Sequence, residues 1–256
     1  MSLIPNLHTP ANVLVCGASQ GIGLALCSQL LAREDVGLLL AVSRRATRSP
    51  ALDALAREHG HRLICLDCDA RDEQALQALA GQARACCDQL NLVLCTLGIL
   101  QEAPARAEKS LMQLDLAGLQ ASFATNCFAP VLLLKHLLPL LRQQPVTFAA
   151  LSARVGSIGD NHLGGWYSYR ASKAALNQLL RTASIELKRL NPASTVLALH
   201  PGTTDTRLSR PFQGNVPVGK LFSPAFAADC ILELVGWHGP LQTGTFWAWD
   251  GQSVPW

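Results

Sequence analysis

The chain has 256 residues, 49% of them hydrophobic, and its 21 basic and 18 acidic side chains leave a formal net charge of +3. This content suits one α/β domain over 1–256 with a sheet covered on both faces, and no basic block points to a nucleic-acid partner. Nine cysteines, an odd number, lie mostly in apolar runs (Cys16, Cys27, Cys65, Cys95, Cys127 and Cys230) and read as free buried thiols in a reducing, cytoplasmic compartment.

The first residues lack a basic segment and lead into a strand at 12–16 rather than a signal peptide. Gly17-Ala18-Ser19-Gln20-Gly21-Ile22-Gly23 follows, and a helical apolar pattern over 21–32 begins inside it. Free N–H groups and the helix dipole favour a phosphate at such a turn, so Gly17, Ser19, Gln20, Gly21, Ile22 and Gly23 are candidate dinucleotide contacts. The spacing G-x-x-x-G-x-G departs from the general G-x-G-x-x-G, and taken alone it also suits an ordinary strand-to-helix turn. A second strand at 37–43 ends in Ser43, where an NAD-selective domain usually places an acid for the ribose hydroxyls. Arg44 and Arg45 come next, and a guanidinium can neutralise a 2′-phosphate, so the turn predicts NADP(H). A solvated basic turn opening the helix at 50–59 is the plain alternative.

A strand at 61–66, a helix at 72–87 and a strand at 91–96 continue the alternation. Cys65 and Cys68 have metal-like spacing without a second ligand pair, so no metal is expected. The long helix at 113–142 contains Asn126, an amide that is costly to bury unpaired. Its most apolar part, 129–141, is shorter than a membrane span and holds Lys135, His136 and Pro139, so no membrane association is expected. After a strand at 145–152, the helix at 167–190 sets Tyr169 and Lys173 four residues apart on one face, about 5–6 Å from each other at Cβ. An ammonium roughly 5 Å from a phenol, at an effective dielectric of about 20, favours the phenolate by about 3 kcal/mol, or about two pKa units. The pair is therefore expected to exchange protons near neutral pH. A strand at 194–200, an irregular stretch at 203–223 read as a substrate lid with a short helix inside it, a helix at 224–236 and a strand at 244–248 complete the chain. The alternation predicts a Rossmann-type, doubly wound parallel sheet of seven strands in three α/β/α layers, with the ligand across the carboxyl ends of the strands.

The glycine turn, Asp69, Asn126 in Thr125-Asn126-Cys127-Phe128-Ala129-Pro130, Tyr169-Arg170-Ala171-Ser172-Lys173 and Pro201-Gly202-Thr203-Thr204-Asp205-Thr206 occur in the order found in the short-chain dehydrogenase/reductase family. The chain resembles that family over nearly its whole length. Gly156-Ser157-Ile158, Gly164 through Arg170 and the ending Trp249-Asp250-Gly251 to Pro255-Trp256 are most similar to the sniffer and C-factor carbonyl reductases. The resemblance implies that Tyr169 donates a proton, that Lys173 holds the nicotinamide ribose and lowers the tyrosine pKa, and that Asn126 bends its helix and holds a water linked to Lys173. It also implies that Asp69 meets the adenine amine, with Ala70, Gly98, Pro201, Gly202, Thr203 and Thr206 among the cofactor contacts. The family's catalytic serine falls on Ala153 of Ser152-Ala153-Arg154-Val155-Gly156. Ser152 is the nearest replacement and Ser157 the next, and the reading that neither acts stays open. Cys16 stands for the family's Thr, and Cys95-Thr96-Leu97-Gly98 for Asn-Asn-Ala-Gly, which leaves polar support to Thr96 and makes Leu97 crowd the cofactor side.

These readings converge on an NADPH-dependent carbonyl reductase or alcohol dehydrogenase acting on a small-molecule carbonyl or alcohol substrate. The rival is a catalytically silent, dinucleotide-binding signalling module of C-factor type. Ala171, Ala174 and Ala175, with surplus apolar positions at Val131, Leu134, Leu137, Leu138 and Leu141, predict packing against a second copy as a homodimer. The aromatic ending Trp247 to Trp256 offers a route to a homotetramer.

Overall fold

In the computed structural model, which describes residues 2–256, strands β1 (Ala11–Cys16), β2 (Val36–Ser43), β3 (Leu63–Asp67), β4 (Leu92–Cys95), β5 (Val146–Leu151) and β6 (Ser194–His200) alternate with helices α1 (Gly21–Leu31), α2 (Pro50–His59), α3 (Glu73–Cys86), α4 (Leu116–Phe123), α5 (Ala129–Leu137) and α6 (Tyr167–Leu190). A short ladder of β7 (Thr203–Thr204) and β8 (Leu221–Phe222) follows, then α7 (Pro224–Trp237) and β9 (Thr245–Ala248). The main sheet is parallel throughout, in the order β3-β2-β1-β4-β5-β6-β9. The order reverses between β1 and β4, so the crevice of a doubly wound fold opens there.

Both faces of each central strand are buried, which is why the strands read as continuous apolar runs. Leu14 and Cys16 of β1 and Phe148 and Ala150 of β5 face a layer built by α3, α5 and α6. Val13 and Val15 face the opposite layer of α1, α2 and α7. Helices with a structural role carry their own caps: Ser49 accepts from Leu52 N, Asp72 from Gln74 N, Asp115 from Gly118 N and Ser223 from Phe226 N. Helices α1 and α6, which carry the motifs, begin without a side-chain cap of their own.

The long helix expected over 113–142 is interrupted. A π-turn at Ala124–Phe128 separates α4 from α5, and a 3₁₀ turn at Leu138–Leu141 ends the run. Pro130 has no N–H to return to the Asn126 carbonyl one α-turn back, so the ladder slips at the residue singled out for bending this helix. The helical run Leu116–Leu141 spans 26 residues and contains an apolar stretch of mean hydropathy 1.4, so it is long and apolar enough to cross a membrane, unlike 129–141 taken alone. Over half of that apolar stretch is buried inside the fold, as for a core helix. Leu134, Leu137 and Leu141 point into this same core, so they are not surplus faces awaiting a second copy. The large apolar residues exposed along these helices and α6 include Leu116, Phe128, Ile185 and Leu190.

The irregular stretch after β6 is closed at its base, because β7 pairs with β8 in register Thr203↔Leu221 and Thr204↔Phe222. The short helix expected inside this lid is a 3₁₀ segment, Arg210–Asn215.

Candidate active site

The turn after β1 is shaped so that only glycine fits. Gly17 has φ +95, and a Cβ there would lie 2.3 Å from Thr96 Oγ1, while a Cβ on Gly23 would lie 2.1 Å from Gly17 O. Thr96 donates to Cys16 O at 3.0 Å, so it supplies the polar support expected of it. Cys16 and Cys95 are register partners on β1 and β4, so their buried thiols lie side by side beneath this turn. The α1 N-terminus has neither a capping side chain nor an acidic residue in its first turn, which leaves its first N–H groups open to an anion. Ser19, Gln20 and Ile22 lie on this rim.

Beyond β2, Arg44 and Arg45 are exposed and form no ion pair among the described residues, and Ser43 stands where an acid would repel a phosphate. Asp69 is held by Arg71 through two hydrogen bonds of 3.0 and 2.6 Å, and that guanidinium pulls its carboxyl below the usual range. Ala70 buries its methyl in the core, so any contact it offers a ligand is main chain. The residues after β6 come back to the same place: Gly202 has φ +75 with Phe222 and Trp249 packed where a Cβ would go, and the Thr206 methyl is 3.2 Å from a Cβ built on Gly21. Thr203 is exposed beside them, and Pro201 leads into the turn. The crevice therefore fits a dinucleotide phosphate at the glycine turn, with two exposed arginines just beyond the neighbouring strand β2.

On α6, Tyr169 and Lys173 share one face with the ammonium 5.9 Å from the centre of the phenol ring. Both are buried, at 7% and 2% exposure. The expected depression of the phenol is not found, because burial dominates and pushes the Tyr169 pKa up. Burial acts on Lys173 in the opposite sense and brings its pKa down to about 8, with Cys95 and Cys127 opposing that fall. Lys173 Nζ donates to Leu151 O at 2.7 Å. Asn126, fully buried, uses its whole amide: Oδ1 accepts from Ile99 N at 2.8 Å, and Nδ2 donates to Ile99 O at 2.9 Å and to Ser172 Oγ at 3.0 Å. Ser172 in turn donates to Tyr169 O at 2.8 Å. A Cβ on Gly98 would lie 3.7 Å from Lys173 Nζ and 3.8 Å from Asn126 Oδ1. The loop after β4 is thus bolted to the helix that carries Tyr169.

Ser152 is turned away. Its hydroxyl donates to Asn177 Oδ1 at 2.6 Å, and Asn177 lies eight residues beyond Tyr169, about 12 Å further along the helix axis. The cause is strand alternation: Phe148 and Ala150 face the α6 layer, and Ser152, two residues on, does the same. Ser157 is also buried, and its hydroxyl accepts from Asp160 N at 3.2 Å. Ala153, half-buried and without a hydroxyl, occupies the position where the family resemblance places the serine.

Residues 11–216 match the short chain dehydrogenase family. The chain belongs to that family. Among solved structures, this short-chain dehydrogenase is similar to the NADPH-bound carbonyl reductase from chicken fatty liver, with a TM-score of 0.84 and 27% identity over 98% of this chain and 100% of that one. It is similar to the carbonyl reductase Sniffer of Drosophila melanogaster at a TM-score of 0.85 and 25% identity, covering 97% of this chain and all of that one. The C-signal protein of Myxococcus xanthus is 34% identical over 151 residues, 57% of this chain and 84% of that protein.

Two functional neighbours of this dehydrogenase's site carry no spacing signal in the sequence. Glu108, 2% exposed, supplies the cap that α6 lacks: its carboxylate accepts from Ser168 N at 3.3 Å and from the Ser168 hydroxyl. Arg71, the Asp69 partner, is the second. Each comes from a loop whose path is set by packing rather than by periodicity.

Proposed function

We propose that this chain is an NADP(H)-dependent carbonyl reductase in which Tyr169 gives a proton to the carbonyl oxygen of a small ketone or aldehyde. The observation that carries the proposal is the arrangement on α6: Tyr169 and Lys173 on one face, tied by Asn126 to the loop at Gly98–Ile99. When bound, the dinucleotide supplies the hydride. The chain's own residues do the rest. The glycine turn and the α1 N-terminus receive the phosphates, and Arg44 and Arg45 receive the 2′-phosphate. Lys173 lies where it can exchange Leu151 O for a ribose hydroxyl. Because burial raises the Tyr169 pKa, the phenol is protonated throughout the neutral range, the state needed for reduction. Alcohol oxidation needs the phenolate, so it should grow as pH rises into the alkaline range. Similarity to the NADPH-bound chicken enzyme supports the choice of cofactor.

Tyr169→Phe should bind NADPH as tightly as the wild type while losing turnover of every carbonyl substrate that the wild type reduces. Retention of most of the activity would remove Tyr169 from the role of acid. A second reading, a dinucleotide-binding signalling module, is favoured by Ala153 at the serine position and by the likeness to C-signal. A panel of aldehydes, ketones and quinones separates the two. Tyr169-dependent turnover supports the enzyme, and tight NADPH binding with no turnover supports the module.

A further inference from the structure

Trp166, the residue before α6, has φ 52 and ψ 45, in the left-handed region that bulky side chains seldom occupy. It follows Gly164 at φ 65 and Gly165 at φ 67, so three successive residues share that region and the third carries an indole. A glycine at 166 would relieve the strain. Strain kept at a site points to a use for the group that causes it, and the contacts of the ring say what the use is. The Trp166 N–H donates to Glu108 O at 2.5 Å, and the Glu108 carboxylate caps Ser168 just beyond, so the backbone that aims the ring is held on both sides. The indole lies edge-on to the Tyr169 ring, with centroids 6.2 Å apart and planes at 80°. It also lies 5.0 Å from the ring of Phe212, which belongs to the 3₁₀ segment of the lid. Trp166 is only half-buried, so part of the ring remains open to a ligand.

We infer that Trp166 is a specificity-determining residue: with Phe212 it forms an aromatic wall beside Tyr169 that selects aryl carbonyl compounds over saturated ones of the same size. The inference rests on the carbonyl reductase reading and adds the substrate class. An aryl ring meeting the edges and faces of Trp166 and Phe212 gains the quadrupole term that a cyclohexyl ring lacks, while the two bury similar apolar area.

The test compares acetophenone with cyclohexyl methyl ketone, first by calorimetric affinity for the protein loaded with NADP⁺ and then by kcat/KM with NADPH. The wild type should favour the aryl ketone about two- to twelvefold. Trp166→Asn keeps a residue that tolerates the left-handed backbone and deletes the ring. It should bring the ratio close to one with NADPH affinity unchanged, and Trp166→Phe should restore most of the preference. Phe212→Leu, on the lid and away from the strained turn, should also lower the ratio, and it decides the matter if the Asn variant does not fold. An unchanged ratio in the variants, or no binding of either ketone by the wild type, overturns the wall. Trp166-dependent aryl binding without reduction of either ketone would leave the wall standing and defeat the reductase reading.

Discussion

The β1–β2–β3 half of the sheet and the β5–β6–β9 half serve the site in different ways. In the first, the groups proposed to meet a dinucleotide are main chain and exposed side chains: the glycine turn, the open N-terminus of α1, and Arg44 and Arg45 in solvent. In the second, apart from the turn after β6, they are buried side chains: the titratable Lys173 and Tyr169 at 2% and 7% exposure, and the Asn126 amide at 0%. A backbone cradle is dictated by glycine positions and does not depend on which way a side chain turns. A buried acid and its ammonium depend on direction and desolvation, so changes there should show in titration and rate, whereas changes in the first half should show in affinity.

The largest effect that would sharpen this contrast concerns Lys173. Its pKa falls from 10.5 in the unfolded chain to about 8 in the fold. Below pH 8 both states carry the charge, and the fold bears the cost of burying it. Between pH 8 and 10.5 the native lysine is neutral while the unfolded one still holds its proton, so stability should rise with pH across that window. Measured by urea unfolding against Lys173→Met, in which the Tyr169 titration largely cancels, the wild type should gain about 3 kcal/mol from pH 7 to 10.5. A gap independent of pH would mean that the ammonium is solvated, and the buried half would then resemble the exposed one.

Arg44 is the counterpart in the open half. Arg44→Ala should weaken NADPH by about 2 kcal/mol, the low end for truncating one partner of a charge pair, because solvent reaches the guanidinium and Arg45 stands beside it. NADH binding should be nearly unchanged. Equal loss for both cofactors in calorimetry would return Arg44 to the status of a solvated turn residue.

The same contrast explains what could be read from the sequence. Spacing gave away the glycine turn, the Tyr169 and Lys173 face and the seven-stranded order of elements, because each follows from a backbone period. The break at Asn126 does not follow from the apolar pattern, which predicts one helix over 113–142; Pro130, four residues on, is the signal in the sequence that marks it. The Tyr169 pKa is not legible from spacing, because desolvation, which spacing does not report, outweighs the nearby cation in a pocket this closed. Arg71 and Glu108 were invisible because loop packing, with no period of its own, delivers them to Asp69 and Ser168. The lid was visible as a glycine- and proline-rich stretch, but not the β7–β8 ladder that fixes its base.

Ser152 gives the smallest functional effect and the finest test of the buried half. Two residues past Ala150 on the same strand face, its hydroxyl belongs to the packing between β5 and α6, where it pairs with Asn177 Oδ1. Ser152→Ala leaves that buried amide oxygen without its donor, so it should cost stability of about 1–3 kcal/mol. Activity should move little, with kcat/KM on a reducible carbonyl staying within roughly twofold of the wild type, an effect of under 0.5 kcal/mol on the barrier. Urea unfolding and steady-state kinetics on the same preparation read both quantities. A loss of turnover of a hundredfold or more with stability unchanged would show that the hydroxyl reaches the substrate, and strand alternation would then have failed at the strand end where the family places its serine.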